Sequence, residues 1–108
     1  MQENYKPYIK DPTKIYVDGN LYPRHVVCAA NRFSDGLIIC GARHWDGIMV
    51  AVADKLELDE RHGCEQGFID QYGHFITRTE AAQISKTNNQ PMRDPIPNGD
   101  YAFSENFY

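Results

Sequence analysis

Four consecutive residues, Arg43-His44-Trp45-Asp46, set a guanidinium, an imidazole, an indole and a carboxylate side by side. They follow an apolar run, Leu37 to Ala42, and lead into a stretch with helical spacing. Metal chemistry is the first possibility to weigh. Cys40 and His44 lie four apart, and His62 and Cys64 follow, so four nitrogen and sulfur ligands could in principle close a zinc tetrahedron. The spacing matches no established ligand pair and Cys40 falls inside a strand pattern, so buried cysteines and surface histidines are the better reading and no metal is expected. Thiolate catalysis by Cys28 or Cys40 with His44 fares no better, because apolar neighbours raise a thiol's pKa and hide it. Asp59, Glu60 and Glu65 lack the flanking apolar pocket that acid–base work requires. The chain has no recognisable reaction centre; neither enzymatic turnover nor a cofactor is expected.

Small-ligand binding is better supported. Arg32, Arg43, Arg78 and Arg93 all fall at element boundaries, where side chains point toward clefts. Helix starts at Asp46 and Arg78 offer N–H groups suited to phosphate. Phe68, Phe75, Tyr101, Phe103 and Phe107 supply aromatic faces, and Asn31, Asn106 and Glu105 can read a purine edge or ribose hydroxyls. Taken singly, each arginine reads as solvated and each aromatic as core. The combination of cations, aromatics and amides without a nucleophile points to a nucleotide site. Nanomolar capture needs about −12 kcal/mol net. Stacking supplies roughly 1–3 kcal/mol per base and a charge-assisted hydrogen bond roughly 1.5–3, while association costs several. One strand end gathers too few groups, so the expected pocket joins the Arg43/His44 corner of one chain to the Arg78 helix start or C-terminal segment of another.

The elements that position these residues follow from periodicity. His25 to Phe33 and Leu37 to Arg43 form a hairpin whose Ser34-Asp35-Gly36 connection provides the positive φ such loops require. Trp45, Ile48, Met49, Val52, Ala53 and Leu56 recur at i, i+3, i+4, i+7, i+8 and i+11, which predicts a helix with one apolar stripe. Asp59 to Gly63 reads as a polar loop. Gln66 to Asp70 and His74 to Ile76 pair across Gln71-Tyr72-Gly73. Thr77-Arg78-Thr79-Glu80 is a capping box, so a second helix runs from Arg78 to about Asn88. Lys14 to Val17 is a short strand followed by a turn at Asp18-Gly19-Asn20. Residues 1–13 are polar with two prolines and read as an arm; 14–108 read as a single domain with a docked C-terminal segment, because Tyr101 to Tyr108 is too apolar to stay in water. The fold class is α+β: an antiparallel sheet of four to five strands with two helices on one face. Strands apolar on both faces predict a homo-oligomer.

Composition bounds the rest. At 108 residues and a formal charge of −4 the chain suits neither long nucleic acid, which needs a basic face, nor a membrane span. Three cysteines without a CxxC pair read as reduced thiols of a cytoplasmic protein.

The run ICGARHWD, then EQGFIDQYGHFITRTEAAQI, then a glutamine at 90 and the ending FSENFY resembles a family of small phage proteins, and most of the chain after His25 fits that pattern. The characterised relatives it suggests are the Thoeris anti-defence one family, α+β proteins that assemble as dimers and hexamers. They sequester cyclic ADP-ribose isomers, and in some members cyclic oligonucleotides, without degrading them. The resemblance implies an adenine-stacking aromatic at Phe68 or Phe75 and phosphate-holding arginines among Arg32, Arg43, Arg78 and Arg93. Ser104-Glu105-Asn106 matches the end motif, while Phe107 stands where the pattern has Leu. It further implies action in the cytoplasm of an infected host. Two other readings remain: an inhibitor that binds a host protein directly, suggested by the acidic run Leu56 to Glu60, and a small nucleotide hydrolase.

Overall fold

A computed structural model describes residues 5–7, 11–58, 64–93 and 101–107. The central element is an antiparallel hairpin of β4 (Val26–Phe33) and β5 (Ile38–Gly41), with Gly36 at φ +92° in its turn and the Asp35 carboxylate accepting from the Leu37 N–H at 3.0 Å. β6 (Cys64–Asp70) pairs with the other edge of β4, and β7 (Phe75–Thr77) with β6, giving the order β5-β4-β6-β7. Two helices, α1 (Gly47–Lys55) and α2 (Arg78–Thr87), pack on this sheet. The fold is α+β, with the four-stranded sheet and two helices the sequence predicts.

Strand register decides which residues meet the helices. Ala29 pairs with Gly41 on one side and Phe68 on the other, and Phe68 with Ile76, so these four share a face. Asn31 and Phe33 follow on that face by alternation. Under α2, Val26, Phe68, Ile76, Ala81, Ile84 and Ala102 form one buried cluster. Under α1, Phe33, Ile39, Met49 and Ala53 form another. A bulge between Val26 and Cys28 leaves Val27 exposed and keeps both Val26 and Ala29 in register with the helix layer.

The polar composition of residues 1–13 predicts an arm, and here the structure differs. Tyr5–Pro7 is a strand, β1, paired antiparallel with β2 (Lys14–Val17), which pairs in turn with β3 (Asn20–Pro23) in a separate three-stranded sheet. The Asp11 carboxylate accepts from the Thr13 N–H at 3.0 Å and its hydroxyl at 2.6 Å, a local turn that composition does not reveal. Pro7 ends its strand, where a missing N–H does least harm. The expected polar loop Asp59 to Gly63 lies outside the described residues.

A buried ion pair fastens this small sheet to the large one. Arg24 Nε donates to Asp70 Oδ2 at 2.9 Å, with both side chains almost wholly out of solvent. Asp70 Oδ1 accepts from the Tyr72 and His74 N–H groups at 2.9 Å each, closing the β6–β7 turn. Asn88, the C-cap of α2, donates to the carbonyls of Thr13 and Arg24 at 3.1 and 2.8 Å. Arg24→Ala strands the Asp70 charge in the interior and is expected to lower the unfolding free energy by about 3–5 kcal/mol. Urea denaturation measures it as a lower midpoint.

Candidate functional site

Between β5 and α1 the chain turns sharply, and the turn is built by one carboxylate. Asp46 is the N-cap of α1: Oδ1 accepts from the Met49 N–H at 2.9 Å, and Oδ2 from the Ala42 N–H at 2.9 Å and the Arg43 N–H at 3.4 Å. The side chain therefore ties the end of β5 to the first turn of the helix. Gly41 makes room for it, since a Cβ there would stand 2.5 Å from Asp46 Oδ1. Trp45, just before the cap, has φ +54°, a left-handed conformation that costs about 1–3 kcal/mol in a bulky residue. Its ring packs edge-on against Phe33 at 6.5 Å, and its backbone N–H reaches Met49 Sδ at 3.2 Å. This corner directs His44 across the sheet, where Nε2 lies 2.6 Å from the Gly67 carbonyl. A carbonyl only accepts, so Nε2 carries the hydrogen.

The facing wall begins at α2. Thr77 and Glu80 form a reciprocal capping box: the Glu80 N–H donates to Thr77 Oγ1 at 3.1 Å and the Thr77 N–H to Glu80 Oε1 at 2.8 Å. Arg78, first in the helix, sends Nη1 to the Ala102 carbonyl at 2.9 Å and Nη2 to Gln66 Oε1, while the Ala102 N–H donates back to the Arg78 carbonyl at 3.1 Å. Its guanidinium lies 4.6 Å from the centroid of Phe103. The segment from Tyr101 to Phe107 thus docks on its own chain, closed by a 3-10 turn over Ser104–Asn106 in which Asn106 Oδ1 accepts from the Phe103 N–H at 2.7 Å.

Between these walls lies a cleft of about 270 Å³, lined by His44, Gln66, Arg78, Phe103 and Ser104. None of the five carries a carboxylate. Phe68 forms the support beneath: fully buried, it meets His44 at 5.3 Å and Phe107 at 5.3 Å, both edge-to-face.

The structure gathers some of the residues singled out in the sequence and separates others. His44, Arg78 and Ser104 line one cleft within a single chain, so the two corners expected on different chains meet on one. Phe68 is buried and cannot stack on a base. Arg32 and Phe75 sit together on the sheet face away from the helices, the guanidinium 4.2 Å from the ring centroid and paired with Glu65 at 2.6 Å. Pairing of Phe68 with Ile76 turns the neighbouring Phe75 outward, and the same alternation sends Arg32 that way. Asn31 is fully buried, its Nδ2 2.7 Å from Met49 Sδ. Arg43 is half-buried at the corner, and Arg93 is exposed beyond α2; neither lines the cleft. Asn106 shapes the turn, and the side chain of Glu105, like His62, lies outside what is described. The helix caps take up the Met49 and Glu80 N–H groups, so those two groups are not offered to an anion at either helix start. Gln66 and Phe103 complete the cleft. Gln66 escapes sequence reasoning because only register places it beside Arg78. Phe103 belongs to the aromatic ending already conspicuous in the sequence.

The Cys28 thiol is pushed up to about 11 by burial, and burial raises Cys40 and Cys64 too, so all three are protonated at neutral pH.

The sequence model of the phage T4 y16D protein family matches residues 25–108, which include every residue of the cleft and omit the small sheet. No curated protein and no solved structure matches the chain.

The Met49 N–H above all, with those of Arg43, Ala42 and Ile48, holds the Asp46 carboxyl below its ordinary range despite the opposing effect of burial. A carboxyl lowered by folding stabilises the folded state above its unfolded pKa, and that contribution disappears as pH falls through the lowered value. The corner is therefore expected to loosen in acid, below the ordinary carboxylate range. Thermal unfolding followed by Trp45 fluorescence between pH 2 and 6 checks this (roughly the span over which carboxylates titrate): Asp46→Asn should lose less stability on acidification than the parent chain.

Proposed function

This chain belongs to the phage T4 y16D protein family, and on that footing we propose that it is an anti-defence protein that binds and sequesters a cyclic nucleotide immune signal without cleaving it. The observation that carries the reading is the cleft itself. Arg78 supplies a cation for phosphate oxygens, Gln66 an amide for a base edge and Phe103 an exposed ring for stacking, with no carboxylate among the lining residues to repel an anion. At about 270 Å³ the cleft falls just under the roughly 300–1,000 Å³ of small-molecule pockets. It takes a base-and-phosphate portion and leaves the rest of a cyclic ADP-ribose or cyclic dinucleotide outside.

A second reading, direct inhibition of a host protein, draws on the three-stranded sheet, where Leu21 and Tyr22 are exposed large apolar side chains. Among the described residues no helix is long and apolar enough to cross a membrane.

Calorimetric titration with cyclic ADP-ribose isomers and cyclic di- and trinucleotides tests the proposal. Heat is expected from at least one of them, and chromatography after thermal release should recover it intact. Arg78→Ala should weaken that binding by about 1.5–3 kcal/mol, the worth of one charge-assisted hydrogen bond. Arg32→Ala, on the far face, should leave it unchanged. A cleaved product would make the protein a hydrolase, and no heat from any of these ligands would favour the host-protein inhibitor.

A further inference from the structure

A neighbour fixes the chemical sense of Gln66. Arg78 Nη2 donates to its Oε1. A guanidinium has donors only, so turning the amide over would set one N–H group against another. Oε1 therefore faces Arg78, and the NH2 group is what Gln66 has left to offer. That NH2 makes no hydrogen bond to any described residue. Gln66 is exposed on β6 and lines the cleft beside Arg78.

Ser104, in the C-terminal segment, lines the same cleft although the residue is only 3% exposed. Its hydroxyl also makes no hydrogen bond among the described residues. A polar group so far withdrawn from water ordinarily has a partner. Two side chains of one cleft thus hold hydrogen-bonding capacity that the fold itself does not use.

We propose that the cleft takes a 6-oxopurine base, guanine or hypoxanthine, in preference to adenine; this rests on the reading of the cleft as a nucleotide site. On its N7 side a 6-oxopurine presents two adjacent acceptors, N7 and O6, whereas adenine sets an amino donor, N6, beside N7. Glutamine reads adenine by giving its NH2 to N7 and receiving an N6 hydrogen on its oxygen. Here Arg78 occupies that oxygen, so the adenine amino group would meet an amide NH2 and a guanidinium, donors both. An amino group brought there gives up water and gains no acceptor. With O6 in its place, the donors of Gln66 and Arg78 face acceptors throughout. The Ser104 hydroxyl donates or accepts, so it serves either base and leaves the preference to Gln66 and Arg78.

Calorimetric titration of the full chain with cyclic di-GMP, cyclic di-IMP and cyclic di-AMP reads the preference. The guanine and hypoxanthine ligands are expected to bind about tenfold or more tighter than the adenine ligand. Gln66→Glu keeps an oxygen for Arg78 and replaces the NH2 with an acceptor. The ratio of cyclic di-GMP to cyclic di-AMP affinity should then fall at least about tenfold, since the added charge acts on both ligands alike. Gln66→Met removes both polar atoms without adding charge and should also lower the ratio; melting curves like the parent's show that both variants fold. Equal or tighter binding of cyclic di-AMP by the parent chain overturns this inference and leaves the nucleotide site standing. So does a ratio unchanged in both variants, which would put Gln66 on a phosphate. Cyclic di-IMP that binds like cyclic di-AMP overturns it too, by moving recognition to the N2 amino group of guanine. Heat from none of the three, nor from a cyclic ADP-ribose isomer, removes the nucleotide reading and this inference together.

Discussion

Phe68 holds the site together. The ring is fully buried between the sheet and α2, and it meets His44 from one wall of the cleft and Phe107 from the other, each edge-to-face. Such contacts contribute about 0.5–1.5 kcal/mol each beyond simple burial. Their larger consequence is geometric. The β5–α1 corner and the C-terminal segment lie more than fifty residues apart in sequence, and both find their positions against the same ring. A cleft assembled in this way is preformed, because its floor belongs to the core rather than to a loop.

The two walls are fixed by different means. At the corner, Asp46 collects three N–H donors, Gly41 clears the space for it, and Trp45 accepts an unfavourable backbone conformation that its packing on Phe33 and its N–H contact to Met49 help to offset. Strain of this kind gathers where a chain must present particular side chains, and here it immediately precedes the cap of α1 and follows His44. At the other wall, a capping box sets the start of α2 and Arg78 exchanges hydrogen bonds with Ala102 in both directions. Arg78 is thus half structural: one nitrogen anchors the C-terminal segment while the guanidinium lies over Phe103 and lines the cleft. The position of the cation is thus fixed by the fold itself.

The match to the phage family covers the four-stranded sheet, both helices and the docked ending, while β1, β2 and β3 lie ahead of it. The small sheet is joined to the rest by directional polar links, the Arg24–Asp70 pair and the Asn88 amide. This division agrees with the chemistry: the cleft is complete without the small sheet, whose exposed Leu21 and Tyr22 give it a surface of a different character.

Local sequence determined what local physics can determine. The Ser34-Asp35-Gly36 turn, the capping box at Thr77 and Glu80, the helical spacing after Trp45 and the aromatic ending each carry their own short-range cause, and the hairpin, both helices and the α+β class were legible from them. Tertiary structure decided which way side chains face. Strand side chains alternate with a period of two, so the pairing of Phe68 with Ile76 and Ala29 sends Phe68 into the core and Phe75 to the opposite surface. Arg32 follows Phe75, and Asn31 is buried against Met49. A sequence shows that an arginine or a phenylalanine sits in a strand; only the register, fixed by partners far along the chain, shows which face it serves. Gln66 joined the site for the same reason. The strand at Tyr5–Pro7 was equally hidden, since a three-residue strand exists only through the neighbour that supplies its hydrogen bonds.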